Sequence, residues 1–418
     1  MASAPPWPLV PLGTLFDHVD ERSTAGDERL LSISKNFGVV PRDTITDAPP
    51  RAATLIGYKR CVADDLVVNQ MSVYDGLLGR APIAGIVTYH YLVFRPRPRT
   101  DTRYFAYLLK SPLYMGDFGQ RVRGLGEINQ ANVRTPHIRI SDFLQTVVPC
   151  PPYEEQVRIA DYLDGATANL DRAMNAKHDQ IALLNEFVGA RIDTFIEADA
   201  SDFGWIPLRR WILGLEQGWS PQCEAVPAAP DEYGVLKLSA VRDGRFKPEE
   251  NKAMTPGESP AWRYVLRRGD LLVSRANTPD LVGDSAVVDV DSGNLFLSDL
   301  LYRVDLSVEE PVYVSAALRS RRVRGLLRVL ARGTSLSMAK IRGDDIKGLP
   351  VPNAPVHVRR QRAAEIEELE SFRVAGLGHL AESISLIAEL RVSTVAATVL
   401  GDVVPEPVGS QESRQCWT

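Results

Sequence analysis

The chain has 418 residues, 44% hydrophobic and 24% charged, with a formal net charge of −5. That length exceeds one ordinary hydrophobic core and points to two domains, and the composition is that of a soluble globular protein rather than a generally basic, adhesive one. Cys61, Cys150, Cys223 and Cys416 are far apart with no Cys-x-x-Cys pair, which argues against a disulfide framework or zinc site and for a reducing compartment. The Met-Ala-Ser-Ala-Pro-Pro-Trp start lacks the pattern of a signal peptide, and no stretch reaches the length of a membrane span, so a cytoplasmic location is expected.

In chain order, Val10-Pro11-Leu12 opens a first domain and Asp65-Leu66-Val67-Val68 reads as a buried strand starting at an acidic turn. Tyr104 to Gly124 reads as a helix ending in an Arg-Gly turn, where glycine can take the left-handed C-cap conformation. Ile138, Asp142 and Val148-Pro149 follow, and Pro149, Pro151 and Pro152 close the domain. From Tyr153 to Ile196 there is no proline, and Leu163, Leu170, Met174, Ile181, Leu184, Val188 and Phe195 share one coiled-coil seam. Thr167, Lys177 and Arg191 are its polar members. A helix of about forty residues spans about 60 Å.

The same order then repeats. Ile206-Pro207-Leu208 and Asp270-Leu271-Leu272-Val273 restate the opening and the buried strand. Tyr104, Leu109, Lys110, Ser111, Arg123 and Gly124 return without a gap as Tyr313, Leu318, Arg319, Ser320, Arg332 and Gly333. Ile138, Asp142 and Val148-Pro149 return as Ile341, Asp345 and Val351-Pro352. A second helical stripe holds Ile366, Leu369, Leu377, Leu380, Ile384 and Ile387, weakened by Gly376 and Gly378, each worth about 1 kcal/mol against alanine. The expected architecture is a duplicated α/β (α+β) domain at 1–150 and 201–352, with long helices at 151–200 and 353–402 and a flexible tail at 403–418. Each apolar stripe needs a partner. Packing of each helix on its own domain is one solution. The favoured one pairs the helices as an antiparallel coiled coil, pseudo-twofold, with the domains at opposite ends of a rod.

Pro151-Pro152-Tyr153-Glu154-Glu155-Gln156-Val157-Arg158-Ile159-Ala160, with Leu163-Asp164 and Leu170-Asp171, resembles the helix start of the specificity subunits of Type I restriction-modification enzymes. Gly269-Asp270-Leu271-Leu272-Val273-Ser274-Arg275 is similar to the strand-and-loop signature of that family's recognition domains. The likeness runs from about Val10 to Leu400. It implies two target-recognition domains, each reading half of a split, asymmetric site in double-stranded DNA. The paired helices would set the spacing and dock two modification (methyltransferase) subunits. Glu154, Glu155, Gln156 and Gln361 are the partner-docking candidates. The resemblance also implies no catalysis and no cofactor here: S-adenosylmethionine, ATP and Mg2+ would sit on the modification subunits and on a restriction/translocase subunit reached through the complex. The second helix begins Ala354-Pro355-Val356-His357-Val358-Arg359-Arg360-Gln361 and departs from the pattern, since its Glu-Glu pair is missing.

Three chemical motifs compete with that picture. Cys150-Pro151-Pro152-Tyr153 is one letter from the Asn/Asp-Pro-Pro-Tyr loop of amino-methyltransferases, but a thiol poorly replaces the required side-chain oxygen. Asp231 with Glu250 and Lys252 fits a Pro-Asp…Glu-x-Lys nuclease pattern that would hold magnesium, and a self-contained nuclease is the alternative reading; the segment after Phe246-Lys247-Pro248 reads as a solvated loop. No phosphate-cradling Gly-x-x-x-x-Gly-Lys-Ser/Thr loop is present. A helix-mediated scaffold with no DNA role is a third possibility.

For DNA contact, Arg321, Arg324, Arg328 and Arg332 recur at helical spacing, suited either to phosphates or to a solvated face. Lys110, Arg121 and Arg123 occupy the matching helix end of the first domain. Arg95, Arg97 and Arg99, interleaved with prolines, read as an exposed loop. Base readout needs forked donors and acceptors. The loops after the Asp-Leu strands offer Asn69, Gln70, Tyr74 and Arg80, then Ser274, Arg275, Asn277 and Thr278. The loops after the Arg-Gly turns offer Asn129, Gln130 and Asn132, then Thr334, Ser335, Ser337 and Lys340. Ordinary turn chemistry is the competing account of each.

Overall fold

In each copy the turn before the Asp-Leu strand is built by the aspartate itself. The computed structural model describes residues 7–35, 38–50, 52–122, 137–291, 293–331 and 338–401. Within it Asp65 accepts a hydrogen bond from the N–H of Val62, and Asp270 from that of Arg267, both at 2.9 Å. The preceding residue takes left-handed backbone in both copies, Asp64 at φ 73° and Gly269 at φ 91°; glycine meets that requirement without strain. The strands that follow, Leu66–Asn69 and Leu271–Ser274, sit inside four-stranded antiparallel sheets. The first sheet runs Phe16–Val19, Tyr91–Pro96, Leu66–Asn69, Leu78–Arg80. The second runs Ile212–Gln217, Leu301–Leu306, Leu271–Ser274, Ser285–Val287. Leu66, Val67 and Val68, like Leu271, Leu272 and Val273, are buried, as a continuous apolar run requires of a strand covered on both faces.

Each sheet is followed by two short helices rather than one. Thr102–Leu109 and Pro112–Arg121 divide at Ser111, and Pro311–Arg319 and Arg321–Leu330 divide at Ser320. Pro112 supplies the fixed φ suited to a first helical turn. The expected single helix is therefore broken at its serine, and both Arg-Gly turns lie outside the described residues. A short antiparallel pair closes each domain, Leu9–Pro11 on Val147–Pro149 and Trp205–Pro207 on Pro350–Pro352. The register repeats, with Val10 opposite Val148 and Ile206 opposite Val351. Helices on largely antiparallel sheets make each domain α+β.

The long helices run Tyr153–Phe203 and Val356–Val399. The chain divides into two compact units, one holding residues through Lys177 and those from Glu382 onward, the other His178–Ala381. In the first unit Ile159, Ala160 and Leu163 share a core with Val395 and Val399. In the second, Val188, Ile192 and Ile196 share one with Ile366. The start of one helix thus meets the end of the other in each unit, an antiparallel pairing. The seam departs from expectation after Val188: Ile192 and Ile196 are buried while Arg191 is exposed. A 3.6-residue helix drifts off a strict heptad, and its last turns serve the core of the second domain. Gly376 and Gly378 do not interrupt the second helix. A Cβ on Gly376 would come 2.7 Å from Leu184 Cδ2, so this glycine lets the two helices approach. Among the described residues no helix is long and apolar enough to cross a membrane.

Candidate nucleic-acid interface

The segment leaving each Asp-Leu strand is tied by its backbone to the segment that precedes the domain's last helix. Ile138 donates its N–H to the carbonyl of Gln70 at 2.9 Å, and Ile341 donates to the carbonyl of Arg275 at 3.0 Å. In the second domain the tie extends into a two-residue ladder that places Ala276 opposite Lys340 and Asn277 opposite Ala339. Polar loops distant in sequence therefore meet at the far end of the same buried strand. Thr278 and Lys340 are exposed there, and Arg275 and Asn277 are half-buried. Asn69, Gln70 and the exposed Tyr74 hold the same place in the first domain. Both asparagines also stabilise their turns: the side-chain oxygen of Asn69 accepts from Met71 N–H at 3.0 Å, and that of Asn277 from Thr278 N–H at 2.9 Å.

The helix Arg321–Leu330 flanks this end. Val323 and Leu327 are buried, while Arg321 and Arg328 are exposed, Arg328 pairing with Asp280 at 3.1 Å. Arg324 departs from the predicted stripe. Its guanidinium turns inward to the carbonyls of Val282 at 2.7 Å and Asp280 at 2.5 Å, and burial pulls its pKa down. It braces the 278–283 turn, because buried carbonyls need donors. Arg123, Asn129, Gln130, Asn132, Arg332, Thr334, Ser335 and Ser337 lie outside the described residues.

Several other predicted contacts have work elsewhere. Ser274 is fully buried, donating its hydroxyl to the carbonyl of Leu281 at 3.0 Å. Arg80 stands opposite Leu66, at the other end of the strand from Asn69, and pairs with Asp64. Arg121 pairs with Asp117 at 2.9 Å and donates to the carbonyl of Asp142. Lys110 lines a cleft shared with the long helices, its side chain running past Gly76 to an ammonium beside Gly38. Arg95 is part of a strand, bound to the buried carboxylate of Asp65 at 3.1 Å; Arg97 pairs with Asp17 at 2.7 Å and Arg99 with Glu154 at 2.9 Å. Arg95 is thus framework, whereas Arg97 and Arg99 lie in the exposed turn expected from the sequence, each beside an acid.

Of the docking candidates, Glu154 is exposed and Glu155 is half-buried and paired with Arg158. Gln156 is only 1% exposed. Its amide accepts from Asp101 N–H and donates to the carbonyl of Pro151, both at 2.9 Å, fastening the long helix to the N-cap of Thr102–Leu109. In the second copy this joint is made by Arg359, which reaches Glu310 at 3.0 Å and the carbonyl of Ala354 at 2.7 Å. Gln361 matches Gln156 by letter, but it is exposed and bonded to Glu365 at 2.8 Å. Carrying the spacing from Ile138 and Ile341 onward would have found Arg359.

The nuclease reading is overturned. Asn251–Ala253 is a strand, not a solvated loop, paired with Gly234–Leu236. Asp231 lies before Gly234 and Glu250 before Asn251, so antiparallel pairing puts them at opposite ends. Glu250 accepts from Ser239 at 2.6 Å, and that bond, ahead of the nearby lysines, holds its carboxyl below the usual range. Among the described residues no group of three or more His, Cys, Asp or Glu side chains could hold a metal ion. The Cys150 thiol is half-buried at the domain-to-helix junction, where burial pushes its pKa up.

Two α+β domains with a common frame and unlike polar loops, each packed on antiparallel long helices, define a duplicated two-domain protein. No family model matches the chain. Over 167 residues it is 27% identical to the specificity subunit of the Type I restriction enzyme EcoEI from Escherichia coli, covering 39% of this chain and 28% of that protein. Over 333 residues it is 25% identical to the EcoKI specificity subunit from Escherichia coli strain K12, covering 75% of this chain and 68% of that one. The matched stretch thus spans little more than a quarter of the EcoEI subunit. A chain solved in work on complex assembly and conformational transition of the type I R-M system shares the fold, with a TM-score of 0.64 at 17% identity, covering 96% of this chain and all of that one. The chain is thus similar in sequence to Type I restriction-enzyme specificity subunits.

Proposed function

We propose that this chain is the DNA-recognition subunit of a Type I restriction-modification complex and performs no chemistry itself. Its recognition domains, 1–150 and 201–352, each read one half of a split, asymmetric site in double-stranded DNA. The long helices at 151–200 and 353–402 set the gap between the halves, and 403–418 is a tail. The exposed helix starts, with Glu154 and Glu155 at one and Gln361 at the other, dock two methyltransferase subunits, and a restriction/translocase subunit joins through them. S-adenosylmethionine, ATP and Mg2+ then belong to those partners, and the complex works in the cytoplasm.

One observation carries the reading. The Ile138–Gln70 and Ile341–Arg275 backbone ties hold the segment leaving the Asp-Leu strand against the segment before the last helix, at the same end of the strand in both copies. A constant frame with variable polar tips suits a reader whose halves see different bases. Arg275 and Asn277 have the forked groups that base edges require, and Arg321, Arg328 and Lys340 provide charge for phosphates.

The test is DNA binding by the chain with its methyltransferase partner. Arg275→Ala weakens one half-site by about 1–3 kcal/mol and leaves the other half-site's preference intact. Arg328→Ala weakens all sequences alike and lowers the salt slope by about one phosphate contact. Equal, sequence-blind effects of the two changes would refute the assignment. Sequencing methylated positions in the host genome should show a split motif with a fixed gap.

A further inference from the structure

In the first unit a cleft of about 330 Å³ opens between the Thr102–Leu109 helix, the Leu78–Arg80 strand and the two long helices. Four cations line it, Arg80, Arg103, Lys110 and Arg391, against two carboxylates, Asp164 and Asp171. Each arginine already has an acid. Arg80 pairs with Asp64; Arg103 with Asp101, Asp161 and Asp164 at 2.7, 2.7 and 3.0 Å; Arg391 with Asp171 at 3.0 Å. The Lys110 ammonium makes no hydrogen bond or ion pair with any described residue. Burial, and then the charge of Arg391, push its pKa down to about 8.

The second copy shows what is missing. Arg319 occupies the position of Lys110, and Glu370 lies 3.4 Å from its guanidinium. The residue in register with Glu370 on the first long helix is Thr167, whose hydroxyl donates to the carbonyl of Leu163 in its own helix at 2.6 Å. The matching cleft of the second unit, about 360 Å³, sets Arg319, Arg324 and Arg373 against Asp243, Asp280, Asp284 and Glu370. In that cleft Arg319 has an acid of its own, and in the first Lys110 has none among the described residues. A half-enclosed ammonium without a counter-ion is costly, and the cost is removed by an anion that reaches it.

We propose that the first-unit cleft is a binding site for a phosphate-class oxyanion, with the Lys110 ammonium as its direct partner and Arg80, Arg103 and Arg391 at its rim. The anion takes the place that Glu370 fills in the other copy. Its source is either free phosphate or a phosphate group of nucleic acid; the site does not depend on which bases the loops read.

Thermal unfolding of the full chain in inorganic phosphate, against chloride at equal ionic strength, tests the site. Wild type should show a saturable rise in Tm. Lys110→Met should begin with a higher Tm in chloride and bind phosphate about tenfold or more weakly. Thr167→Glu, which restores an internal acid, should likewise lose the phosphate response while keeping Lys110. Absence of a saturable response in wild type, or the full wild-type response in either variant, would overturn the proposal. Repeating the titration with saturating duplex DNA separates the sources. A response that persists assigns the cleft to a free anion, and one that disappears assigns it to a nucleic-acid phosphate.

Discussion

In the first domain Tyr104 donates its hydroxyl to the backbone carbonyl of Val399 at 3.2 Å, whereas in the second Tyr313 donates to the carboxylate of Asp199 at 3.1 Å. Both tyrosines are fully buried, and each ties its domain to the end of a long helix. The same contrast recurs at other joints. Gln156 fastens one helix start with a neutral amide and Arg359 the other with a charged pair to Glu310. Lys110 lacks the acid that Arg319 has in Glu370. The duplicated chain has kept the geometry of its joints and exchanged their chemistry. At the tyrosine and helix-start joints the first domain is neutral and the second ionic, so those two joints of the second are more sensitive to loss of a single partner, because a stranded buried charge costs more than a lost neutral hydrogen bond.

The largest expected effect is at Asp199, which is buried and also receives the Arg362 guanidinium at 3.2 Å. Asp199→Ala should cost about 3 kcal/mol in chemical denaturation. Its counterpart test, Tyr104→Phe, should cost about 1 kcal/mol. Similar losses from the two changes would break the contrast between ionic and neutral joints.

Lys110 comes next. Its proton is held less tightly in the folded chain than in the unfolded one, so the penalty is fully present below about pH 8. It recedes as pH rises toward the ordinary lysine value of 10.5. In phosphate-free chloride, wild type should therefore gain about 1–2 kcal/mol relative to Lys110→Met across that window, allowing for solvent screening in the open cleft. A pH-independent difference in urea midpoints would show that Lys110 is already compensated.

The smallest effect sharpens the helix pairing. Gly378 faces open space, so Gly378→Ala should stabilise by about 1 kcal/mol in thermal or urea unfolding. Gly376→Ala should gain less, because its methyl group must push Leu184 aside. Equal gains at the two positions would mean that the helices do not approach closely at Gly376.

Much of the frame was legible because it rests on local rules. The Asp-Leu strands, the closing Val-Pro and Ile-Pro pairs and the long helices follow from apolar runs, proline placement and helical periodicity, and each signal occurs twice. The candidate interface was legible only in outline. Gln70, Arg275 and Lys340 were recognisable as polar loop residues, but the backbone ties that gather them join segments more than sixty residues apart. Arg324 and Arg328 are indistinguishable in an arginine stripe, and burial sends the first to backbone carbonyls and leaves the second exposed. Arg95 misled in the opposite direction, since it lies in a strand and its acid Asp65 is far off in sequence, whereas Arg97 and Arg99 stand in the exposed turn expected of them.

The amino-acid order by itself determined the duplication, the kind of element at each place and the family resemblance, since those reside in local pattern and spacing. Tertiary structure decided which charges are spent and which are free. Counter-ions are set by proximity in space: Arg103 finds three acids, Lys110 none among the described residues, and Ser274 is enclosed while Thr278, four residues on, stands open.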